Sequence, residues 1–303
     1  MEINFSNEKI NKFKMYGGKN GNKIGIVLDG ENYMLKFPPK PTKNPDMSYT
    51  NSCISEHISC RVFETLGLQS QKTMLGKYND KVVVACKDFE VDGFLLKEFA
   101  HLKNTIIDSS GSGYGTELVD VLETIKNQQL ISSEKLEKFF WEMFIGDTLL
   151  GNFDRHNGNW GFLVNADMDE AKIAPIFDCG SCLYPQLDDK GMVSVIENRT
   201  KLDERLFVFP ASALKQDDVK INYFQFLMTT ENKGCLATLK AVRDKIDLHR
   251  INAIIDDTPY ISDTHKRFLK TMIKERKERI IDKAAERING EKQRKQKEWS
   301  DDF

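Results

Sequence analysis

Short apolar runs separated by polar or glycine-containing turns dominate the first third of the chain, and such runs predict β-strands. The two runs on either side of the turn at residues 29–32 predict a β-meander. After them, residues 52–66 carry apolar side chains at helical spacing, which predicts an amphipathic helix. The five predicted strands cover residues 11–16, 24–28, 33–37, 68–77 and 82–86.

Helical spacing prevails in the rest of the chain. Residues 116–127 and 133–150 each combine a capping residue with apolar side chains three to four positions apart, so they predict two helices that frame a large core. We expect residues 184–199 to form a polar loop where a substrate could bind. Further helical segments are predicted at residues 223–228, 236–246 and 251–255, and from residue 264 onward.

The last predicted helix has two interpretations. Its lysines make it basic and amphipathic, which would suit an anionic membrane or nucleic acid. Its interspersed carboxylates favour an ordinary solvated face with intrahelical ion pairs, and we prefer this interpretation. The apolar stripe comprises Phe268, Met272, Arg276, Ile280, Ala284 and Ile288.

Composition narrows the classes of protein that fit. The 303 residues are 40% hydrophobic and 10% aromatic, which is enough for a sizeable core in one domain or two lobes. The formal net charge of -2 gives no global argument for binding nucleic acid or an anionic membrane. We find no bilayer-spanning apolar stretch and no secretory signal, so we expect a cytoplasmic protein in the producing cell. The six cysteines fit a reducing compartment.

Candidate chemistry lies between the helix at 133–150 and a predicted buried strand at 174–180. Asp154 and Asn159 stand five positions apart in a polar loop, and Asp178 ends the strand. Asp and Asn collect in loops for structural reasons, but the apolar segments on both sides favour a functional loop. Phosphoryl transfer uses this pattern: the first Asp orients the attacking hydroxyl, while the Asn and the second Asp hold magnesium against ATP.

Lys36 and Glu56 match a second part of the same chemistry. Lys36 interrupts the apolar strand at residues 33–37, where a cation could reach ATP phosphates or could simply be exposed on an edge strand. Glu56 lies in the helix at residues 52–66. Kinases place a strand lysine against a helix glutamate, so we expect these two side chains to pair.

A glycine-rich turn and a connecting segment complete the expected nucleotide site. Glycines at a turn let backbone N–H groups approach phosphates, although the same turn could be a plain hairpin. Residues 86–89 would form a hinge that contacts adenine mainly through its backbone. The candidate residues are Gly17, Gly18, Gly21, Cys86 and Asp88.

The motif Asn-Phe-Asp154-Arg-His156-Asn-Gly-Asn159, followed by Ala-Pro-Ile-Phe-Asp178, resembles the HipA-like serine/threonine kinases. The resemblance implies an α+β, two-lobed protein-kinase-like fold with a β-rich lobe at 1–85, the hinge at 86–89 and a mainly helical lobe at 90–303.

The resemblance also implies residue roles. Asp154 would be the catalytic aspartate, Asn159 and Asp178 the magnesium ligands, Lys36 the phosphate lysine and Glu56 its anchor. His156 is counted with the nucleotide-binding residues, and ATP and Mg²⁺ are the implied cofactors.

The expected partner is a protein substrate phosphorylated on serine or threonine, with autophosphorylation at a serine such as Ser110 or Ser112. Longer family members have an N-terminal module used partly in antitoxin binding. Here the glycine-rich loop begins by Tyr16, so we expect no antitoxin. Nucleic acid and membrane are not expected partners, and the resemblance leaves release into host cells as an option.

Two alternatives stay beside this interpretation. Phosphoinositide kinases also contain the sequence Asp-Arg-His-x-x-Asn in their catalytic loop, so the chain could phosphorylate a lipid. A nucleotide-binding pseudokinase that acts only by docking partners is the other alternative, and the intact set of Asp and Asn residues argues against it.

Overall fold

The computed structural model describes residues 3–17, 23–40, 49–107, 112–288 and 290, which form a β-rich small lobe and a mainly helical large lobe. The strands are β1 Lys9–Ile10, β2 Lys23–Leu28, β3 Glu31–Lys36, β4 Thr73–Tyr78, β5 Lys81–Lys87, β6 Leu95–Glu98, β7 Gly161–Asn165, β8 Glu170–Ile173, β9 Lys215–Gln216 and β10 Val219–Lys220. The helices are α1 Ser52–Thr65, α2 Phe99–Ile106, α3 Leu118–Asn127, α4 Ser133–Leu150, α5 Asp189–Ile196, α6 Arg199–Phe207, α7 Tyr223–Thr229, α8 Lys233–Arg243, α9 Leu248–Asp257 and α10 Asp263–Arg276, followed by the π-helical segment Lys277–Asp282.

The small lobe is an antiparallel sheet with strand order β1-β2-β3-β5-β4. Side chains alternate between its two faces, so each face can bury an apolar set. One face carries Ile26 and Leu35 and is covered by Phe5. On the other face, Val84 and Cys86 pack in the same core as α1. The β2–β3 pair confirms the predicted meander.

The first predicted strand is wrong. Residues 11–16 form a loop, and β1 lies just before it at Lys9–Ile10. The side chain of Asn11 is the cause, because its Oδ1 accepts hydrogen bonds from the backbone N–H groups of Phe13 (3.1 Å) and Lys14 (3.3 Å). An asparagine that bonds its own following backbone turns the chain out of an extended strand.

Two other predicted strands are shorter than the sequence suggests. Ser70 and Ile176 form a single isolated bridge, in which the Gln71 N–H donates to the Ile176 carbonyl and the Ile176 N–H donates to the Gln69 carbonyl, both at 2.8 Å. The strand predicted at residues 68–77 therefore begins only at Thr73. Residues 174–180 contribute that one bridge and form no named strand.

Helix α4 runs through the centre of the large lobe and delivers the chain to the predicted loop. It begins after Ser132, whose side chain caps the helix, and ends at Gly151 in the left-handed conformation (φ +64°). Glycine adopts this conformation without the penalty of a Cβ, which makes it a common helix terminator. The last eleven residues of the helix, 140–150, are all buried. Their burial fixes where the following loop starts.

The polar loop predicted at residues 184–199 is wrong over half of its length. Residues Asp189–Ile196 form α5, and the Oδ1 of Asp188 accepts a hydrogen bond from the N–H of Gly191 at 2.8 Å. Met192 and Val195 are buried on the inner side of this helix. A capped helix with a buried stripe has little resemblance to an open substrate loop.

Helix α10 and its π-helical continuation are core elements. The stripe predicted from Phe268 to Ile288 is buried, and α10 packs against α4, α5 and α9. On the outer side, Arg279 pairs with Glu275 at 3.1 Å and Lys283 pairs with Glu286 at 3.0 Å. This supports the solvated-face interpretation, because the apolar side of the helix is already covered. Across the described residues, no helix is long and apolar enough to span a bilayer.

Candidate active site

The loop after α4 is held by Asn152, which the sequence analysis did not select. This side chain is fully buried; its Nδ2 donates to Asp147 at 2.8 Å and its Oδ1 accepts from the N–H of Asp154 at 3.0 Å. The hydroxyl of Tyr223 donates to the Asn152 carbonyl at 2.5 Å. The backbone of Asp154 is thus fixed, while the residue itself is exposed to solvent.

Arg155 connects this loop to the segment that carries Asp178. Its guanidinium pairs with the buried Asp147 carboxylate, with an Nε–Oδ2 distance of 3.1 Å. It also donates to the carbonyl of Asn159 at 2.8 Å and to the carbonyl of Phe177 at 2.5 Å. One buried cation therefore sets the spacing between the Asp154 loop and the residue next to Asp178.

Lys36, Glu56 and Asp178 meet as one ion-pair cluster. The Nζ of Lys36 lies 2.9 Å from Glu56 Oε2 and 3.0 Å from Asp178 Oδ1. The Lys36 ammonium holds the pKa of Asp178 at about 2, against the opposing effect of burial. Burial would lower the pKa of Lys36, but the two carboxylates outweigh it and raise that pKa well above its usual value. Both Asp178 and Lys36 are therefore charged at neutral pH.

Asp154 and Asn159 face the same region. Asp154 keeps access to solvent, but partial burial of its carboxylate raises its pKa. The nearby negative charge of Asp178 adds to the rise despite the opposing effect of His156. Asn159 donates through Nδ2 to the Asp154 carbonyl at 2.8 Å. Because the nitrogen is committed to that bond, the amide oxygen is the Asn159 atom suited to bind a cation.

The donor set fits magnesium held together with a phosphate ligand. Asp178 offers an ionised carboxylate and Asn159 an amide oxygen, and hard oxygen donors suit this ion. Among the residues that the structure describes, no group of three His, Cys, Asp or Glu side chains could hold a metal alone. Magnesium is usually bound by one or two protein ligands plus substrate phosphates, which matches a site of two ligands.

The remaining predicted nucleotide residues are scattered around this cluster. Cys86 is fully buried within β5, and burial raises the pKa of its thiol well above the usual value. Asp88 is buried and engaged by the residue 11–17 loop, with Lys14 at 2.8 Å and the Tyr16 hydroxyl at 3.0 Å. His156 accepts through Nδ1 from the N–H of Gly158 at 3.0 Å.

Of the predicted glycines, Gly17 has open space around its Cα, where an added Cβ would meet nothing within 4 Å. Gly18 and Gly21 lie outside the described residues.

The large surface cavity of the small lobe is not at this cluster. It has a volume of about 960 Å³ and is lined mainly by residues 67–72, 87–89 and 91–92. Lys36, Asp154 and Asp178 do not line it. Convergent charge, rather than cavity volume, is what marks the candidate site.

Sequence reasoning missed Asp147, Asn152 and Tyr223, which position the loop. Asp147 was detectable in principle, because a carboxylate inside the apolar run of residues 143–150 needs a buried partner. Asn152 stands at the edge of the motif and gave a weaker signal. Tyr223 comes from a distant helix, so its role depends on tertiary packing.

An antiparallel sheet with one helix, joined to a helical lobe and presenting a Lys–Glu pair to an Asp/Asn loop, defines a protein-kinase-like fold. The model of the HipA-like C-terminal domain matches residues 12–249. The chain therefore belongs to the HipA-like C-terminal domain family.

One relative and two solved structures agree with this family. The chain is 53% identical over 283 residues to the serine/threonine-protein kinase CtkA of Helicobacter pylori strain J99, covering 93% of this chain and 87% of the relative. The crystal structure of a Helicobacter pylori proinflammatory kinase CtkA matches with a TM-score of 0.90 at 51% identity, over 95% of this chain and 98% of the other. The HipA complex with HipB and operator DNA from Shewanella oneidensis MR-1 matches with a TM-score of 0.55 at 14% identity, over 91% and 70%, and supports the fold alone.

Proposed function

We propose that the chain is a serine/threonine protein kinase that transfers the γ-phosphoryl group of magnesium-bound ATP to a protein hydroxyl. The observation that carries this proposal is the position of Lys36 Nζ, 2.9 Å from Glu56 and 3.0 Å from Asp178, at the loop that presents Asp154. The relative named a serine/threonine-protein kinase supports the same chemistry.

The proposed roles follow from the contacts. Asp154 is exposed on a fixed backbone, so an acceptor hydroxyl can reach its carboxylate, which orients the hydroxyl and takes its proton. Glu56 orients the Lys36 ammonium toward the phosphates. Asn159 and Asp178 would hold magnesium, which would supply charge neutralisation at the phosphates when bound with ATP.

The proposed division of the chain places the nucleotide between a lobe at residues 1–85 and a lobe at 90–303, with 86–89 as the hinge. Gly17, with Gly18 and Gly21, would face the phosphates. Backbone groups near Cys86 and Asp88 would face adenine, and His156 would lie on the nucleotide side of the loop.

Autophosphorylation belongs to the same proposal. Asn157 donates through Nδ2 to the carbonyls of Gly113 at 3.0 Å and Gly115 at 2.8 Å, which ties the turn at Ser112–Tyr114 to the Asp154 loop. This contact supports Ser112 as an acceptor near the site. Ser110, the other predicted acceptor, lies outside the described residues.

A lipid acceptor is the second candidate, because the motif is shared with phosphoinositide kinases. The basic C-terminal helix was the feature in its favour, and that helix buries its apolar stripe in the large lobe. A protein acceptor is therefore the better-supported proposal.

The test is transfer from labelled ATP with magnesium to a basic protein and, separately, to anionic vesicles that contain phosphatidylinositol. We expect labelled protein and little labelled lipid. Asp154→Asn should retain ATP affinity and lose about 10²–10⁴-fold in turnover, because hydroxyl activation fails while the phosphate contacts survive. Asp178→Asn should instead weaken magnesium-dependent ATP binding measured by calorimetry.

Asp167→Asn, in the turn between β7 and β8, is the matched control and should leave both measurements unchanged. Unchanged turnover in Asp154→Asn would remove this residue from the mechanism. Robust lipid product without labelled protein would reverse the choice of acceptor, and no transfer to either would favour a docking pseudokinase.

A further inference from the structure

An apolar patch adjoins Asp154. The ring of Phe153, the residue before Asp154, lies 5.5 Å from the ring of Phe209 and 5.9 Å from that of Tyr49, measured between centroids. Val208 is 67% exposed and Phe209 is 36% exposed. We call Tyr49, Phe153, Val208 and Phe209 the apolar patch.

Phe209 and Val208 are held at fixed positions relative to the catalytic loop. The backbone N–H groups of both residues donate to the carbonyl of Glu204 at 3.0 Å, which closes the end of α6. The next residue, Pro210, packs against Gly151, where an added Cβ would lie 3.0 Å from the proline Cγ. The patch is therefore built into the same backbone that places Asp154.

A peptide that delivers a hydroxyl to Asp154 must pass over neighbouring surface. Successive residues of an extended peptide rise about 3.2–3.4 Å, so the Cα atoms of residues within two positions of the acceptor lie within about 7 Å of the acceptor Cα. Phe153 is adjacent to Asp154 in the chain, and its Cα lies about 3.8 Å from that of Asp154. Part of the patch is thus within reach of the side chains that flank the acceptor.

Resting on the kinase function proposed above, we infer that the apolar patch determines acceptor specificity by binding a large apolar side chain within two residues of the phosphorylated serine or threonine. Aromatic and aliphatic side chains leave water when such a residue covers them, and this burial favours apolar-flanked acceptors over alanine-flanked ones. The guanidinium of Arg205 lies 5.7 Å from the centroid of the Phe209 ring. An acidic residue in the peptide would be attracted to this charge, so acidic peptides would not test the apolar contact.

The test compares synthetic peptides with a central serine that carry either leucine or alanine at each of the four positions within two residues of it. We expect wild-type protein to phosphorylate one leucine peptide with a kcat/KM about 10-fold above that of its alanine partner, the usual size of discrimination by an apolar pocket. Val208→Ser and Phe209→Ser should each bring this ratio down toward one. Phe209→Leu, which keeps an apolar side chain, should preserve most of it.

Leu130→Ser is the matched control, because Leu130 is 42% exposed and lies just before the start of α4. The patch lies beyond the other end of this helix, whose 18 residues span about 27 Å. It should leave the ratio unchanged. Thermal melting of every variant shows whether it folds. If Phe209→Ser does not fold, Val208→Ser alone tests the inference. Equal rates on all peptides with wild type would overturn the inference alone. If the leucine-to-alanine ratio of kcat/KM stays near its wild-type value in both Val208→Ser and Phe209→Ser, the inference is also wrong. A stable dimer that buries the apolar patch would overturn it as well. Absence of label on every peptide would overturn it together with the proposed function.

Discussion

Replacing Arg155 with methionine should lower the free energy of unfolding by about 3–5 kcal/mol, the usual cost of removing one partner of a buried ion pair. The side chains of Arg155 and Asp147 are only 5% and 2% exposed. Methionine retains an apolar stem but no N–H donors, so Asp147 stays buried without its counter-charge. The carbonyls of Asn159 and Phe177 also lose a donor. We therefore expect a loss in the upper part of that range.

Urea unfolding followed by circular dichroism measures this loss, and its pH dependence tests the cause. Burial already raises the pKa of Asp147, although Arg155 opposes the rise. Without Arg155 the pKa of Asp147 rises further, so the folded state binds more protons than the unfolded state above the ordinary Asp value of about 3.9. The free energy of unfolding then falls as the pH rises from the unfolded pKa of Asp toward the raised pKa of Asp147 in the folded protein. The deficit of Arg155→Met relative to wild type should thus be smaller at pH 5 than at pH 7.

Arg199→Met is the matched control, because Arg199 pairs with Asp203 at 3.2 Å on the surface and is 66% exposed. Exposed pairs contribute about 0–1 kcal/mol, so this variant should change stability little. The double variant Arg155→Met with Asp147→Asn should lose less than the sum of the two single losses. If Arg155→Met costs no more than Arg199→Met, or if its deficit is the same at both pH values, the buried ion pair does not carry the stability assigned to it.

Two further predictions concern the contact between α1 and α4 and the ion-pair cluster. Gly146→Ala should cost about 1–3 kcal/mol in urea unfolding, because the new Cβ would lie 2.3 Å from the ring of Phe63, whereas Gly290→Ala, with nothing within 4 Å, should not destabilise the protein. Lys36→Met should raise the pKa of Asp178 from about 2, since the Lys36 ammonium is the main cause of the low value. A carbon-detected NMR titration measures that pKa, and an unchanged value would contradict the assignment. In wild type the ionised Asp178 stabilises the fold above the unfolded pKa of about 3.9, and this contribution is lost as the pH falls through about 2.

Helices were predictable from the sequence where their apolar spacing was long and their caps were local. The prediction at residues 133–150 matches α4, and that at 52–66 matches α1 apart from its last residue. Helix α5 was missed although its cap, Asp188, and its buried Met192 and Val195 are visible in the sequence. The predicted strands that failed depended on a particular hydrogen-bonding partner. The isolated bridge between Ser70 and Ile176 joins segments about a hundred residues apart, and no local pattern encodes it.

The candidate site divides in the same way. Lys36 and Asp178 were recognisable because they interrupt or end an apolar segment, and Glu56 was recognisable as a helix carboxylate able to pair with a strand lysine. The structure brings both carboxylates within hydrogen-bonding distance of Lys36. Their roles in catalysis and metal binding stay predictions. The glycine-rich turn was the least predictable part, since a phosphate-binding loop and a plain hairpin use the same residues.

The loop motif itself combines two kinds of residue. Three side chains of the motif donate to backbone carbonyls. Arg155 donates to the carbonyls of Asn159 and Phe177. Asn157 donates to two carbonyls of the turn at residues 113–115, and Asn159 donates to the carbonyl of Asp154. Backbone acceptors do not change with sequence, so these side chains can hold the loop whatever residues surround it. Asp154, by contrast, is exposed, and its carboxylate is not used to hold the loop. An Asp-Arg-His-Asn-Gly-Asn loop therefore leaves the Asp154 carboxylate accessible on a backbone that its neighbours hold, and the buried Arg155 ties this loop to the residue before Asp178.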